Sequence, residues 1–195
     1  MLLFTRVMNS YDIPVVASLA AESFSENEPI CTYLGISQEE FEQWCKDVLD
    51  TCCKQSISMV LEDDECNIIG CTICEKFDRF SEVHEFPNHD IQDFYQSVNE
   101  QIPHEINYNE SLRLILFATR PGYEKLGVCT QLLQDTLSLA RDTGCVFAYA
   151  IASSDSAQHV LLDKLGFASA YEVLHNSFDQ LDELSGKTIL AIKSL

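Results

Sequence analysis

SLRLILFATRPGYEKLGVCTQLLQDTLSLA, residues 111–140, decides how this chain is read. Residues 112–118 form an apolar run of strand length, Pro121 and Gly122 mark a turn, and Gly127 stands directly before an amphipathic helical pattern. A strand, a glycine turn and a helix N-terminus together make an anion site, because free backbone N–H groups and the positive end of the helix dipole converge there. The stretch lacks GxxxxGK[ST], so it is not a Walker loop, and it has one glycine where a dinucleotide fingerprint needs three.

Working outward, 195 residues make one domain with a continuous core the simplest expectation, spanning 1–195. The 46% apolar and 22% charged fractions are those of a globular protein. No apolar run reaches the roughly 20 residues of a membrane helix. The opening Met1-Leu2-Leu3-Phe4 turns polar at once, unlike a signal peptide, and a cytoplasmic location is expected. A net charge of −19 argues against nucleic acid and suits cationic partners, although solubility alone explains it equally well. Nine cysteines show no framework spacing. Cys71 and Cys74 lie three apart on an expected strand and so point to opposite faces, which denies them a shared metal; no metal site is expected.

A first strand at 3–7 precedes a helix with Ile13, Val16, Ala17 and Ala20 inward, ending near Ser23 and Phe24 at a breaker segment, 25–29. Ser37 and Glu40 form a capping box for a second helix. Strands at 56–61 and 68–77 read as an antiparallel hairpin around an acidic turn. Residues 78–109 read as an inserted loop with a helix at 90–100, Ile91, Phe94, Tyr95 and Val98 inward. His84, His89 and His104 in this insert are expected as solvated loop residues. After the central stretch come a strand at 146–151, a short helix to Leu165 with Asp155 and Gln158 as a cap pair, and a strand at 167–174. An acidic loop and a closing strand at 187–192 complete the chain. The order implies an α/β (mixed α+β) fold: a mixed, mostly antiparallel sheet with helices on both faces.

GYEKLGVCTQLL resembles the acyl-CoA loop of the GNAT acetyltransferases, [Gln/Arg]-x-x-Gly-x-[Gly/Ala]. Gly127 matches the glycine, Glu124 stands where Gln or Arg is usual, and Cys129 stands where Gly or Ala is usual. LLDKLGF at 161–167 is similar to that family's LYEKLGF, and the element order fits over nearly the whole chain. Phe24-Ser25-Glu26-Asn27-Glu28-Pro29-Ile30 and the long insert resemble the insect arylalkylamine (dopamine) branch.

The resemblance implies a cytoplasmic acetyl-CoA-dependent N-acetyltransferase acting on a small primary amine, an arylalkylamine or a polyamine, by direct attack in a ternary complex. It implies that Phe117, Ala118 and Thr119 pair with the pantetheine arm. It further implies that Glu124, Lys125, Leu126, Gly127, Val128, Cys129 and Thr130 present amides to the pyrophosphate, with Lys125 and Arg120 supplying positive charge. Glu28 matches the branch's base, and Ser153 and Ser156 stand near its catalytic serines, although capping of the next helix explains these serines almost as well. The family's proton-donating tyrosine is replaced by Leu162, and Tyr171 is a further hydroxyl. Two alternatives remain: a protein lysine acetyltransferase, and a non-catalytic CoA-sensing or interaction module on the same fold.

Overall fold

Short-range signals place the elements, which the computed structural model describes over residues 3–76, 84–86, 88–107 and 110–195. Strand β1 (Phe4–Val7) leads through a 3-10 turn (Ser10–Asp12) capped by Asn9 into helix α1 (Ile13–Asn27). The helix runs a turn beyond its expected end at Phe24, because a proline restricts only the residue before it. Glu28 is extended (φ −94°, ψ 109°) while its N–H still donates to the Phe24 carbonyl. Pro29 then opens helix α2 (Pro29–Tyr33), at a position where its missing N–H has no helical acceptor to lose. Helix α3 (Gln38–Cys52) starts at the expected Ser37–Glu40 capping box, with both reciprocal bonds formed.

Strands β2 (Met59–Glu62) and β3 (Ile68–Lys76) form the antiparallel hairpin, β2 starting later than expected because Ser56 holds a left-handed turn (φ 52°). Helix α4 (His89–Asn99) follows, then strand β4 (Ser111–Thr119), helix α5 (Val128–Asp142) and strand β5 (Phe147–Ala152). Helix α6 (Asp155–His159) continues through a π turn (Val160–Lys164) to strands β6 (Ala168–Leu174) and β7 (Lys187–Ser194). Phe77 and, within the expected insert, residues 78–83, 87, 108 and 109 lie outside the described residues.

The strands lie in the order β1-β2-β3-β4-β5-β7-β6, and among the described pairs only β4 and β5 run parallel. This is the expected mixed, mostly antiparallel sheet. Residues of α1, α3 and α4 share one buried cluster with Cys71 and Ile73, while those of α5 join another with Cys74. The two cysteines thus face opposite sides of the sheet, as their spacing requires. A Cβ on Gly70 would lie 3.0 Å from Val128 Cγ1 and 3.4 Å from Leu132 Cδ2, so the bare glycine lets α5 sit close against β3.

Two features open the sheet at its centre. Strand β4 carries one extra residue opposite β3, since Ile73 faces Leu116 whereas Cys74 faces Leu114, and such a bulge bends its strand. The β4–β5 ladder stops at Leu114 and Ala150, yet β4 continues to Thr119. Beyond that point the parallel strands part and leave a cleft floored by the free edge of β4.

At the other end of the sheet, Arg6 ties the first turn to β2. It donates to both carboxylate oxygens of Asp12 (2.7 and 2.8 Å) and to Glu62 (2.6 and 3.0 Å). The guanidinium bond holds the Asp12 carboxyl below its ordinary value of 3.8. Asp12→Asn is expected to cost about 1–2 kcal/mol of unfolding free energy at neutral pH. A depressed folded-state value means this stabilisation is complete above about pH 4 and disappears as acid titrates the folded carboxyl. Urea unfolding of both proteins from pH 3 to 7 checks this; a difference independent of pH would refute it.

Candidate functional site

The cleft is a cavity of about 1070 Å³ that runs from the loop before α5, past the parted ends of β4 and β5, to the helices of the other face. At the loop end, Gly127 adopts φ +82°, and a Cβ added there would meet nothing within 4 Å, so its glycine answers to backbone conformation rather than to space. Helical bonding in α5 begins when Gln131 N–H donates to the Gly127 carbonyl, which leaves the amides of Val128, Cys129 and Thr130 without a helical acceptor. The Glu124 carboxylate, standing where Gln or Arg is usual, accepts the Gly122 N–H at 2.8 Å and thereby braces the loop.

Of the residues expected around a cofactor, Phe117, Ala118, Thr119, Glu124, Lys125, Gly127, Val128, Cys129 and Thr130 line the cavity. Leu126 is 59% exposed and lies outside it. Arg120 also lies outside: its Nε donates to the Ile68 carbonyl at 3.0 Å, which directs it to the far side of the loop. Burial pushes the Cys129 thiol up to about 12, so this lining cysteine is not a thiolate at neutral pH.

Midway along the cavity lies Glu28, only 4% exposed. The bend before Pro29 turns its side chain back over α2, where Oε2 accepts the Cys31 N–H as an N-cap would. Oε1 accepts the hydroxyl of Ser153, just past the end of β5. Tyr95 on α4 completes the group, its hydroxyl 3.2 Å from Glu28 Oε1 and 3.3 Å from Ser153 Oγ. Burial first and the Glu28 charge second push the Tyr95 phenol well above its ordinary range. A carboxylate has about four acceptor positions, so these three donors leave one of them without a partner among the described residues.

The structure therefore brings Glu28 and Ser153 into one hydrogen-bonded group, while Ser156 lines the same cavity outside that group. Ser156 is exposed and lies 3.3 Å from the Ser154 hydroxyl. The helix cap is Ser154, which accepts the Ala157 N–H, rather than the expected Asp155–Gln158 pair. Gln158 is buried because its amide donates to the carbonyls of Ala152 (3.1 Å) and Lys187 (2.7 Å). Tyr171 lies outside the cavity lining. Tyr95 was visible in the sequence only as an inward position on a helix; nothing local marked its hydroxyl for Glu28.

The far end is aromatic. Phe24 stacks on Phe41 at 4.7 Å between centroids, and Trp44 packs on Phe86 at 4.4 Å. All four rings line the cavity, and the buried Trp44 Nε1 has no hydrogen-bond partner among the described residues. Here His84 departs from expectation. Its side chain is 9% exposed and sits 3.2 Å from the fully buried Glu75, which also accepts from Arg113 at 3.2 Å. His89 and His104 are exposed, as expected. Cys52, Glu75 and His84 place their ligand atoms within 4.8 Å of one another. Arg113 already neutralises Glu75, and burial pushes the Cys52 thiol up, so the group fits a charge-paired cluster better than a cation site.

The acetyltransferase (GNAT) family model matches residues 16–167. A search of curated protein sequences finds no match. Among solved structures, the C-terminal condensation domain of Ebony, in complex with β-alanyl-dopamine, superposes with a TM-score of 0.89 at 14% identity, with 100% of each chain covered. Arylalkylamine N-acetyltransferase 2 from Aedes aegypti gives 0.78 at 16% identity over 98% of each chain. The Drosophila melanogaster polyamine N-acetyltransferase, which forms N-acetylagmatine, gives 0.71 at 11% identity over 99% of this chain and 100% of its own. At these identities the likeness is one of fold.

The environment of Cys129 has a direct consequence. Iodoacetamide at pH 8 is expected to label the exposed Cys66 first and Cys129 on the order of a thousandfold more slowly, following thiolate content. Peptide mass spectrometry over time reads this; comparable rates would make Cys129 a reactive nucleophile.

Proposed function

The chain belongs to the GNAT acetyltransferase family, and on that premise we propose that it transfers an acetyl group from acetyl-CoA to a small primary arylalkylamine by direct attack. The observation that carries this reading is Glu28, the buried one of the two carboxylates among the described residues that line the cavity, set between the parted strands and an aromatic chamber. An alkylammonium titrates near 10, so a base must take its proton before nitrogen can attack, and Glu28 keeps one acceptor position for it. The free β4 edge at Phe117, Ala118 and Thr119 suits a pantetheine arm added as a strand would be. The amides of Val128, Cys129 and Thr130, with Lys125, suit the pyrophosphate.

The acceptor follows from the far wall. Among the described lining residues the carboxylates are Glu28 and Glu124, at the centre and at the loop. The second ammonium of a polyamine would meet Arg113 and aromatic rings, whereas an aryl group finds Phe24, Phe41, Trp44 and Phe86. The buried Trp44 N–H favours a ring that carries a hydrogen-bond acceptor. The Ebony domain's bound β-alanyl-dopamine and the mosquito enzyme's arylalkylamines agree with that choice.

Purified protein is expected to release free thiol from acetyl-CoA with phenolic arylalkylamines, faster than with putrescine or agmatine. Release with no amine in the panel would overturn the function, and acetylation confined to peptide lysines would favour a protein acceptor. Glu28→Gln should lower kcat/KM by roughly 100-fold or more and raise the apparent pKa of the rate, since free amine must then form without help. An unchanged pH–rate profile would remove Glu28 as the base. Glu124→Gln should tighten acetyl-CoA binding about two- to fivefold in calorimetry by removing a negative charge beside the helix N-terminus. Weaker binding would show that its brace on Gly122 matters more than its charge.

A further inference from the structure

We propose that Tyr95 is the acid that protonates the departing thiolate, the role left open by Leu162. The inference rests on the acetyl-transfer reading above and adds a catalytic residue to it. Attack by nitrogen forms the C–N bond and expels sulfur with the electrons of the C–S bond. One proton must therefore leave nitrogen and one must reach sulfur. An amine that arrives as ammonium first loses a further proton through Glu28 to solvent, so that Glu28 is again a carboxylate when nitrogen attacks.

Several groups could serve by position, and chemistry separates them. Ser153 lies in the same cluster, but an aliphatic alcohol is a far weaker acid than a phenol, and its hydroxyl already donates to Glu28. Burial and the Glu28 charge push the Cys31 thiol far up. Tyr123 is turned to Asp63, 3.3 Å away. Tyr95 holds its two partners at 3.2 and 3.3 Å, long for O–H···O bonds, so its hydroxyl is the one most easily redirected to a third acceptor. It lines the cavity together with Phe117 and Ala118, where the pantetheine arm would bring the sulfur.

The arrangement also times the transfer. While Glu28 is a carboxylate, its charge and the buried site hold Tyr95 as a phenol, so the donor is loaded across the working pH range. When Glu28 takes the amine proton, that charge disappears and the phenol becomes a stronger acid as the thiolate appears. Tyr95 gives its proton to sulfur, and the proton on Glu28 passes 3.2 Å to the phenolate oxygen. Both groups return to their starting states, with one proton moved from nitrogen to sulfur.

The test varies the leaving group without varying its shape. A selenolate is a much weaker base than a thiolate and departs without a proton, so acetyl-seleno-CoA does not require the acid. Tyr95→Phe is expected to lower kcat about 100-fold with acetyl-CoA and no more than roughly threefold with the selenium analogue, while the Kd for CoA stays unchanged. Equal losses with both donors, or none with acetyl-CoA, would overturn the proposal. Incorporation of 3-fluorotyrosine at position 95, which keeps the hydroxyl and the packing, should move the basic limb of the pH–rate profile down with acetyl-CoA. An unmoved limb would count equally against it. If the unaltered protein turns over neither donor with any amine, the acetyl-transfer reading itself fails, a result distinct from either outcome for Tyr95.

Discussion

A carboxyl group that is 4% exposed has to find its donors within the protein, and the placement of Glu28 under that constraint organises the centre of this molecule. Its three donors come from α2, from the end of β5 and from α4, segments 3, 125 and 67 residues away in sequence. Apart from bonds within their own neighbourhoods, these segments meet one another through apolar packing, which is non-directional. The carboxylate adds direction: it fixes where the α1–α2 bend sits over the cleft and how far α4 can settle toward β5. Pro29 makes this possible from the backbone side, because it forces Glu28 out of the helix while supplying the first residue of the next one.

The cleft itself is a product of sheet geometry. Parallel pairing of β4 and β5 lasts four residues, and the bulge at Ile115 bends β4 away before the ladder could extend. What would be an interior strand elsewhere in a sheet thus acquires an unpaired edge for the length of Phe117, Ala118 and Thr119. Such edges ordinarily invite unwanted strand addition. Here α1 covers the strand from one side and α5 from the other, so the edge is reachable only along the cavity. The bulge, Gly70 and Gly127 act in concert: one opens the edge, one lets α5 approach, and one turns the chain so that the helix begins where the edge ends.

Most of this frame was legible in the sequence because it is written locally. Capping at Ser37, the hairpin around 62–67, the opposite faces of Cys71 and Cys74 and the glycine before α5 all follow from neighbours a few positions apart. The misreadings are long-range. Helical periodicity marks Tyr95 as inward but cannot name Glu28, 67 residues earlier, as what it meets. His84 looked solvated because its flanks are polar, yet Glu75 is a fully buried carboxylate whose need for partners draws in both His84 and Arg113. Ser154 rather than Asp155 caps α6, a choice of one position that depends on where β5 releases the chain. Glu124 departs from the Gln or Arg usual at its position, and its bond to Gly122, two residues away, is visible only in the structure.

That bond bears on how a chain of net charge −19 can hold a polyanionic cofactor. Exposed charges act weakly beyond a Debye length of about 8 Å at physiological salt, so the total matters less than the sign of the groups within reach of the loop. Among the described lining residues those groups are the helix N-terminus, Lys125 and Lys164, with Glu124 set against them. Glu124 commits an oxygen to Gly122, which lowers its effective charge toward a ligand and stiffens the turn that presents the amides. On the acetyl-transfer reading proposed above, cofactor and amine would be drawn by different groups of one cavity: the phosphates by the local positive pole at the loop, the amine by the carboxylate of Glu28.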